Sequence, residues 1–349
     1  MTAVRSPDIA TADELLAVRR PEDLFAGDLT KAKQQFRELS KRWHPDRNPG
    51  PLALAVFQHI NALHDLTEQR VQQGLWEGAG ELVLWDKHGG QSTIGYLRAL
   101  PTEVGRLYIG DDHLTYVVEA HHRSLWQNAD RMTRTFPYAD DPMRSDLSRY
   151  MPTPARTWEA QDGRLVYAVP KARDLLLLRD VLGHFGGVMP PRHAAWIISR
   201  LCNLVCYLSY AQRVHHNLSL DTIYISPAKH SAALLGGWWY AATTGSPITQ
   251  VPERTHTYLP WVVRTKKQAL VLTDLELVRV VGRELLGDAS GKGLTDQQAP
   301  GPVLAWLKGV AFGTPIEQYR TWDTVLTQAF GPRRFVKMDL TADMLYPRR

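Results

Sequence analysis

The chain has 349 residues, of which 44% are hydrophobic and 22% are charged, and its formal net charge is +5. This length allows two or three domains, each with a core of its own. The longest apolar runs are far shorter than the roughly 20 residues of a membrane-spanning helix, so we expect no membrane association and a cytoplasmic location. Basic residues are scattered apart from one cluster near residue 40, a pattern that argues against nucleic-acid binding.

A helical hairpin is predicted after an N-terminal tail, residues 1–20. Its first helix, residues 28–42, has Asp28 as the expected N-cap and apolar residues at helical spacing. This apolar stripe consists of Leu29, Ala32, Phe36 and Leu39. The tripeptide His44-Pro45-Asp46 then ends the helix, because proline disfavours helical geometry at the residue before it. A return helix is predicted from about Pro51, with an inward stripe of Leu54, Phe57, Ile60, Ala62, Leu63 and Leu66.

The pattern changes twice after the hairpin. We predict a linker over residues 76–90, a strand-rich domain over 91–170, a helical domain over 171–340 and a C-terminal tail over 341–349. The predicted strands are 81–85, 93–100, 106–109, 114–119, 156–158 and 164–169, mostly in antiparallel sheet. The predicted helices are 174–182, 191–212, 274–286, 303–312 and 322–329. Cys202 and Cys206, four apart in a helical pattern, are expected to be small apolar residues without a redox or metal role.

Residues 21–75 resemble the J-domain of DnaJ-type co-chaperones. The resemblance rests on the basic first helix, the His-Pro-Asp tripeptide, the Arg-Asn-Pro-Gly that follows it and the aromatic residues Phe36, Trp43 and Phe57. It implies a DnaK-type heat-shock ATPase as the partner, whose acidic groove would bind the basic helix. The chaperone-binding residues that it predicts are His44, Pro45, Asp46, Lys33, Arg37, Lys41 and Arg42. Glu38 departs from the family pattern, in which Lys or Arg is common at this position, and this puts the choice of partner in question.

The segments after residue 90 resemble the bilobal protein-kinase fold. Residues 214–225 correspond to the kinase catalytic loop, residues 233–238 to the strand that leads to Asp-Phe-Gly, and residues 273–287 to the helix that anchors the loop. The predicted fold class is therefore α+β multidomain. It combines an N-terminal all-α J-domain helical hairpin with a bilobal kinase-like fold, in which a strand-rich small lobe precedes a helical large lobe.

The side chains that phosphoryl transfer needs are replaced at the corresponding positions. Asn217 stands at the catalytic base, Thr222 at the metal-binding amide, Gly236 at the metal-binding carboxylate and Glu119 at the phosphate-binding lysine. A glutamate at the last position would repel ATP. The degenerate kinase positions are Glu119, His215, Asn217, Thr222, Gly236 and Asp274, of which Asp274 is the structural anchor of the loop. We expect a pseudokinase without phosphotransfer, cofactor or metal.

These resemblances together indicate a non-enzymatic adaptor. The J-domain would recruit and stimulate a DnaK-type ATPase, and the pseudokinase domain would bind a protein client, so that tethering raises the chaperone's effective concentration at that client. The alternative is a regulatory decoy, whose kinase-like domain sequesters a kinase or its partner. An atypical kinase that uses other residues is a weaker alternative.

Overall fold

The computed structural model describes residues 11–72, 76, 78, 80–152, 156–332 and 334–346. Half of the predicted N-terminal tail, residues 77 and 79 of the predicted linker and the last three residues of the predicted C-terminal tail lie outside this part. The α-helices are α1 (Ala12–Ala17), α2 (Leu29–Trp43), α3 (Ala53–Gln72), α4 (Arg123–Thr133), α5 (Asp141–Leu147), α6 (Leu178–His184), α7 (Pro191–Tyr210), α8 (Glu253–Tyr258), α9 (Trp261–Lys266), α10 (Leu272–Leu285), α11 (Gly301–Lys308), α12 (Pro315–Phe330) and α13 (Ala342–Leu345).

The strands form antiparallel pairs in small sheets. Their bounds are β1 (Gly80–Trp85), β2 (Gln91–Tyr96), β3 (Arg98–Thr102), β4 (Gly105–Ile109), β5 (His113–Val118), β6 (Arg156–Glu159), β7 (Leu165–Pro170), β8 (Leu176–Leu177), β9 (Arg213–Val214), β10 (Ile223–Ser226), β11 (Ser231–Leu234) and β12 (Ala242–Thr243). β1 and β2 form a hairpin, and five strands form a sheet in the order β3-β4-β5-β7-β6. The remaining pairings are β11-β10-β8 and β12-β9.

The chain divides into two compact units. Unit 1 comprises residues 1–123, 156–168 and 346–349, and unit 2 comprises residues 124–155 and 169–345. The predicted helical hairpin, the predicted linker and most of the predicted strands therefore belong to one compact unit. The fold is mixed α/β, with helices and antiparallel sheets, and is compatible with a J-domain followed by a second domain.

The helical hairpin and the strands of unit 1 share one hydrophobic core. α2 and α3 bury the apolar face that neither could bury alone, and the inner faces of the strands cover it. The helical contribution includes Ala32, Leu39, Trp43, Ala53, Val56, Ile60 and Leu63. The strand contribution is Leu84, Ile94, Tyr96, Ala99, Tyr108, Val117 and Val166. The strand predicted over 81–85 is confirmed as β1, and because its Leu84 is part of this core, the region predicted as a linker is in part a packed element.

The buried face of α3 differs from the predicted one. Leu54 is 56% exposed, Ala62 is also exposed, and the helix begins at Ala53 rather than near Pro51. The residues that α3 buries are Ala53, Val56, Ile60, Leu63, His64 and Thr67. The reason is that α3 packs against α1 and the turn at Pro21–Asp23 as well as against α2, so small and polar residues face inward where these elements approach. His64, for example, stacks on Phe36 with ring centroids 4.2 Å apart.

Two further predictions of elements were wrong in part, and two helices were not predicted. The single strand predicted over 93–100 is split at Leu97, because β2 pairs with β1 whereas β3 pairs with β4. The helix predicted from residue 174 begins at Leu178, because β8 first pairs with β10. The helices α4 and α5 were not predicted, although Leu125, Ala129 and Met132 bury one face of α4 at helical spacing.

Unit 2 is built around the long helix α7, which packs against α10 and α12. More than half of its residues are buried, which explains its high apolar content. Cys202 and Cys206 both lie on α7 as free thiols, and Cys202 is buried as predicted. In the part of the chain that the structure describes, no helix has the length and apolar character needed to cross a membrane.

Candidate functional site

The His-Pro-Asp turn between α2 and α3 is held by hydrogen bonds within residues 44–50. The amides of Arg47 and Asn48 both donate to the carbonyl of His44 at 2.9 Å. The amide of Gly50 donates to Asn48 Oδ1 at 3.0 Å. In tight turns an asparagine side chain commonly accepts a hydrogen bond from the backbone amide two residues later, as here. Proline in addition fixes its own φ angle. The geometry of the turn is therefore determined locally.

Asp46 presents its carboxylate to solvent from this turn. Its side chain is 86% exposed, and Oδ2 lies 3.6 Å from Nδ1 of His44. The amide of Asp46 donates to the same Nδ1 at 3.3 Å. The ring of His44 packs edge-on against Phe57 of α3, with centroids 5.1 Å apart. His44 is thus the anchored member of the tripeptide, and Asp46 is the accessible one.

Helix α2 carries a basic face opposite its buried stripe. The predicted N-cap is confirmed, since the Asp28 side chain accepts a hydrogen bond from the amide of Lys31 at 2.8 Å. Lys33, Arg37 and Lys41 follow at intervals of four residues, so they lie on one side of the helix, and all three are exposed. This basic face leads directly to the His-Pro-Asp turn.

Carboxylates of unit 1 pair with two lysines in the N-terminal half of α2. Lys33 Nζ lies 3.3 Å from Glu68 Oε1 on α3, and Lys31 Nζ lies 2.7 Å from Glu81 Oε2 on β1. Arg37 and Lys41 have no carboxylate partner among the described residues. The positive charge available to a partner is therefore concentrated in the half of α2 nearest the turn.

Arg42, another predicted docking residue, and Glu38 both have partners within α2. Arg42 lies over the ring of Trp43, with its guanidinium carbon 5.8 Å from the ring centroid. Glu38, the departure from the family pattern, accepts a hydrogen bond from Gln34 Nε2 at 3.1 Å. Glu38 is exposed on the helix surface, so it lowers the positive potential there without disturbing the core.

A second group of predicted positions meets in unit 2, around the buried carboxylate of Asp274. Its two oxygens accept hydrogen bonds from the amides of His215 at 2.7 Å and His216 at 2.9 Å. Burial raises the pKa of Asp274 to about 7, and the two amide donors act in the opposite direction. α10 thus holds the backbone of the loop that begins at residue 215.

The ring of His215 links this loop to Gly236. Its Nδ1 accepts from the amide of Asn217 at 3.2 Å, so Nε2 carries the proton and donates to the Gly236 carbonyl at 2.9 Å. Burial lowers the pKa of His215 to about 3, and the ring is neutral. Its edge also packs against Trp238, with centroids 4.8 Å apart.

Thr222 uses its hydroxyl within the same loop. Oγ1 donates to the carbonyl of Asn217 at 2.7 Å and accepts from the amide of Ser219 at 3.0 Å. Asn217 itself is only 6% exposed. The structure therefore brings together five of the six predicted kinase-like positions, His215, Asn217, Thr222, Gly236 and Asp274.

The sixth position, Glu119, lies in unit 1 immediately after β5. Its side chain is exposed, and its amide donates to the carbonyl of Val104 at 2.9 Å. No cluster of three or more His, Cys, Asp or Glu side chains suited to a metal ion occurs among the residues that the structure describes.

Several contributing residues were missed by the sequence analysis because their partners are distant in the chain. Glu68 and Glu81 are examples, and neither carries a local signal of its role. Arg254 is another, since Nη2 pairs with Glu284 Oε2 at 2.7 Å while Nη1 donates to the carbonyl of Leu218 at 2.9 Å. This pair ties α8 and α10 to the loop that contains His215.

Together, the two antiparallel helices, the basic face and the His-Pro-Asp turn are the features of a J-domain. Two curated DnaJ-type proteins are similar to the N-terminal region of this chain. The DnaJ-related protein spj1 of Schizosaccharomyces pombe is 34% identical over 62 residues, which are 18% of this chain and 16% of that protein. The chaperone protein DnaJ of Azorhizobium caulinodans is 31% identical over 70 residues, 20% of this chain and 18% of that protein.

These similarities support a J-domain in the N-terminal region. The chain spans less than a fifth of the length of these two relatives. No family model matches the chain.

Proposed function

We propose that the chain is a non-enzymatic co-chaperone adaptor. Its J-domain recruits a DnaK-type heat-shock ATPase and stimulates ATP hydrolysis, while its second domain, a kinase-like domain without phosphotransfer, binds a protein client. The cytoplasm is the proposed location. The observation that carries this proposal is the His-Pro-Asp turn, which presents an 86% exposed Asp46 carboxylate at the end of a basic helix. A cationic face steers the approach of an acidic partner, and a rigid turn then places one carboxylate reproducibly.

Two features support the kinase-like part of the proposal. The buried Asp274 binds the backbone of residues 215 and 216, which is the anchoring role that the resemblance predicts for it. The chain also runs from an antiparallel five-stranded sheet into a mainly helical unit, in the predicted order. The absence of phosphotransfer is supported by chemistry, since Asn217 and Gly236 supply no carboxylate and the Thr222 hydroxyl is bonded within its own loop.

The test of the co-chaperone role is steady-state ATP hydrolysis by a purified DnaK-type chaperone with the full chain added. We expect stimulation that the Asp46→Asn variant loses, because an amide keeps the shape of the side chain but not its charge. Asp141→Asn is the matched control, since Asp141 is exposed in the first turn of α5 in unit 2. Stimulation that survives in Asp46→Asn, or that Asp141→Asn also loses, would contradict the assignment of Asp46.

A further inference from the structure

Unit 2 contains a cavity of about 310 Å³ between α7, α12 and the segment that follows α12. This volume is near the lower end of the range for ligand pockets. Aromatic and aliphatic side chains dominate its lining, namely Trp196, Tyr319, Trp322, Leu326, Phe330 and Phe335. Phe335 is 68% exposed at the edge of the cavity, although it stacks on His230 with centroids 4.1 Å apart. The cavity therefore offers an apolar surface that one large side chain could fill.

Two polar atoms of the lining residues are buried without a hydrogen-bond partner among the described residues. They are Trp196 Nε1 and His230 Nε2, on rings that stack in parallel with centroids 4.5 Å apart. His230 is only 8% exposed, and its ring is otherwise bonded to the backbone of Val336. The indole nitrogen can only donate, whereas the imidazole nitrogen can accept. Both nitrogens have almost no exposed surface, so the stacked rings face the cavity chiefly as an apolar wall.

The charged residues of the cavity are mainly cationic. Arg192, Arg200 and Arg334 line it, whereas Asp323 is the acidic residue of the lining. Arg192 lies over the ring of Phe330 at 4.8 Å, and Arg200 Nε donates to the carbonyl of His230 at 2.7 Å. None of the three arginines forms an ion pair within the described part of the chain. Guanidinium groups beside an apolar cavity bind carboxylates with defined geometry.

We propose that this cavity binds an acidic segment of a partner protein in extended form. One apolar side chain of that segment enters between α7 and α12, beside the stacked rings of Trp196 and His230, and flanking carboxylates pair with Arg192 and Arg334. This cavity would be the site at which the proposed adaptor binds its client. The proposal rests on the adaptor function only in naming the bound protein a client. Binding to the cavity is measured without a chaperone, so failure here and failure of the J-domain are distinguishable.

The test begins with selection of binders from a random peptide library displayed on phage against the purified full chain. We expect the selected sequences to combine Asp or Glu with one aromatic or leucine residue. Fluorescence anisotropy of a labelled selected peptide then compares wild type with the double variant Arg192→Glu, Arg334→Glu. We expect binding to weaken by about tenfold or more, because like charges then face each other. Thr327→Trp, which fills the cavity from an exposed position of α12, should have a similar effect.

Matched controls separate this site from general charge effects and from the J-domain. Arg173→Glu with Lys266→Glu makes the same change of charge at exposed positions outside the cavity, and Asp46→Asn alters only the J-domain. Both should bind the peptide as wild type does, and circular dichroism should show every variant folded. Selection without an acidic apolar consensus, or binding that the two cavity variants leave unchanged, would overturn the proposal. Binding of laurate but of no peptide would also overturn it, and would indicate a site for an anionic amphiphile.

Discussion

At the scale of single residues, His215 couples the stability of unit 2 to pH. Burial lowers its pKa from 6.5 to about 3, so the unfolded chain binds more protons than the folded chain between these values. Its contribution to stability is therefore present above pH 6.5 and is lost as the pH falls toward 3. His215→Gln keeps a donor for the Gly236 carbonyl and cannot take up a proton.

We expect His215→Gln to be less stable than wild type at pH 7, because contact with Trp238 is lost, but to lose less stability on acidification to pH 4.5. Urea denaturation followed by tryptophan fluorescence measures both effects. The comparison cancels contributions that the two proteins share, such as that of Asp274. His256→Gln, at an exposed position, should keep the wild-type pH profile. Equal acid sensitivity of wild type and His215→Gln would show that His215 titrates normally in the folded chain.

At the scale of elements, the pairing of α2 with its neighbours divides the predicted docking residues into two groups. Lys33 is engaged by Glu68 on α3, whereas Arg37 and Lys41 face solvent without a carboxylate partner in the described part of the chain. A lysine already paired at the surface gives up that pair when it meets a new carboxylate, and such pairs contribute about 0–1 kcal/mol. Lys33 should therefore contribute less to chaperone binding than Lys41.

The expected result is that Lys41→Ala raises the concentration for half-maximal ATPase stimulation by about tenfold, and Lys33→Ala by about threefold or less. The assay is the chaperone ATPase titration, repeated at two salt concentrations because steering by exposed charges is screened. The two variants have the same change of charge, but the lysines differ in their neighbours and in their distance from the His-Pro-Asp turn. An equal effect of both would mean that the Glu68 contact does not influence docking.

At the scale of the whole molecule, the shared core makes the J-domain depend on the strands of unit 1. Leu84 on β1 is 2% exposed in this core, whereas its neighbour Val83 points outward and is 39% exposed. We expect Leu84→Ala to reduce the free energy of unfolding by about 2–5 kcal/mol, since it leaves a cavity. Val83→Ala is the matched control and should cost much less.

Hydrogen exchange locates the effect of Leu84→Ala. Because α2 and α3 pack on the same core, their amides should exchange faster in this variant and not in Val83→Ala. Unchanged protection of α2 and α3 would show instead that the helical hairpin folds independently of the strands. The predicted domain boundary near residue 75 would then also separate two regions that unfold independently.

The sequence alone determined the features that depend on residues close together in the chain. The Asp28 cap, the buried Ala32 and Leu39 of α2, the His-Pro-Asp turn and the extent of α7 and α10 follow from local spacing and backbone chemistry. The tertiary structure decided which side of α3 is buried, which strands pair, where Lys31 and Lys33 find carboxylates and how the cavity of unit 2 is lined. The carboxylate partners of Lys31 and Lys33 are 50 and 35 positions away, and Trp196 and Phe330 of the cavity are more than 100 positions apart, so no local pattern predicts that they meet. Only packing of the whole chain brings such residues together, because the burial of apolar surface stabilises a contact however far apart its residues are in the sequence.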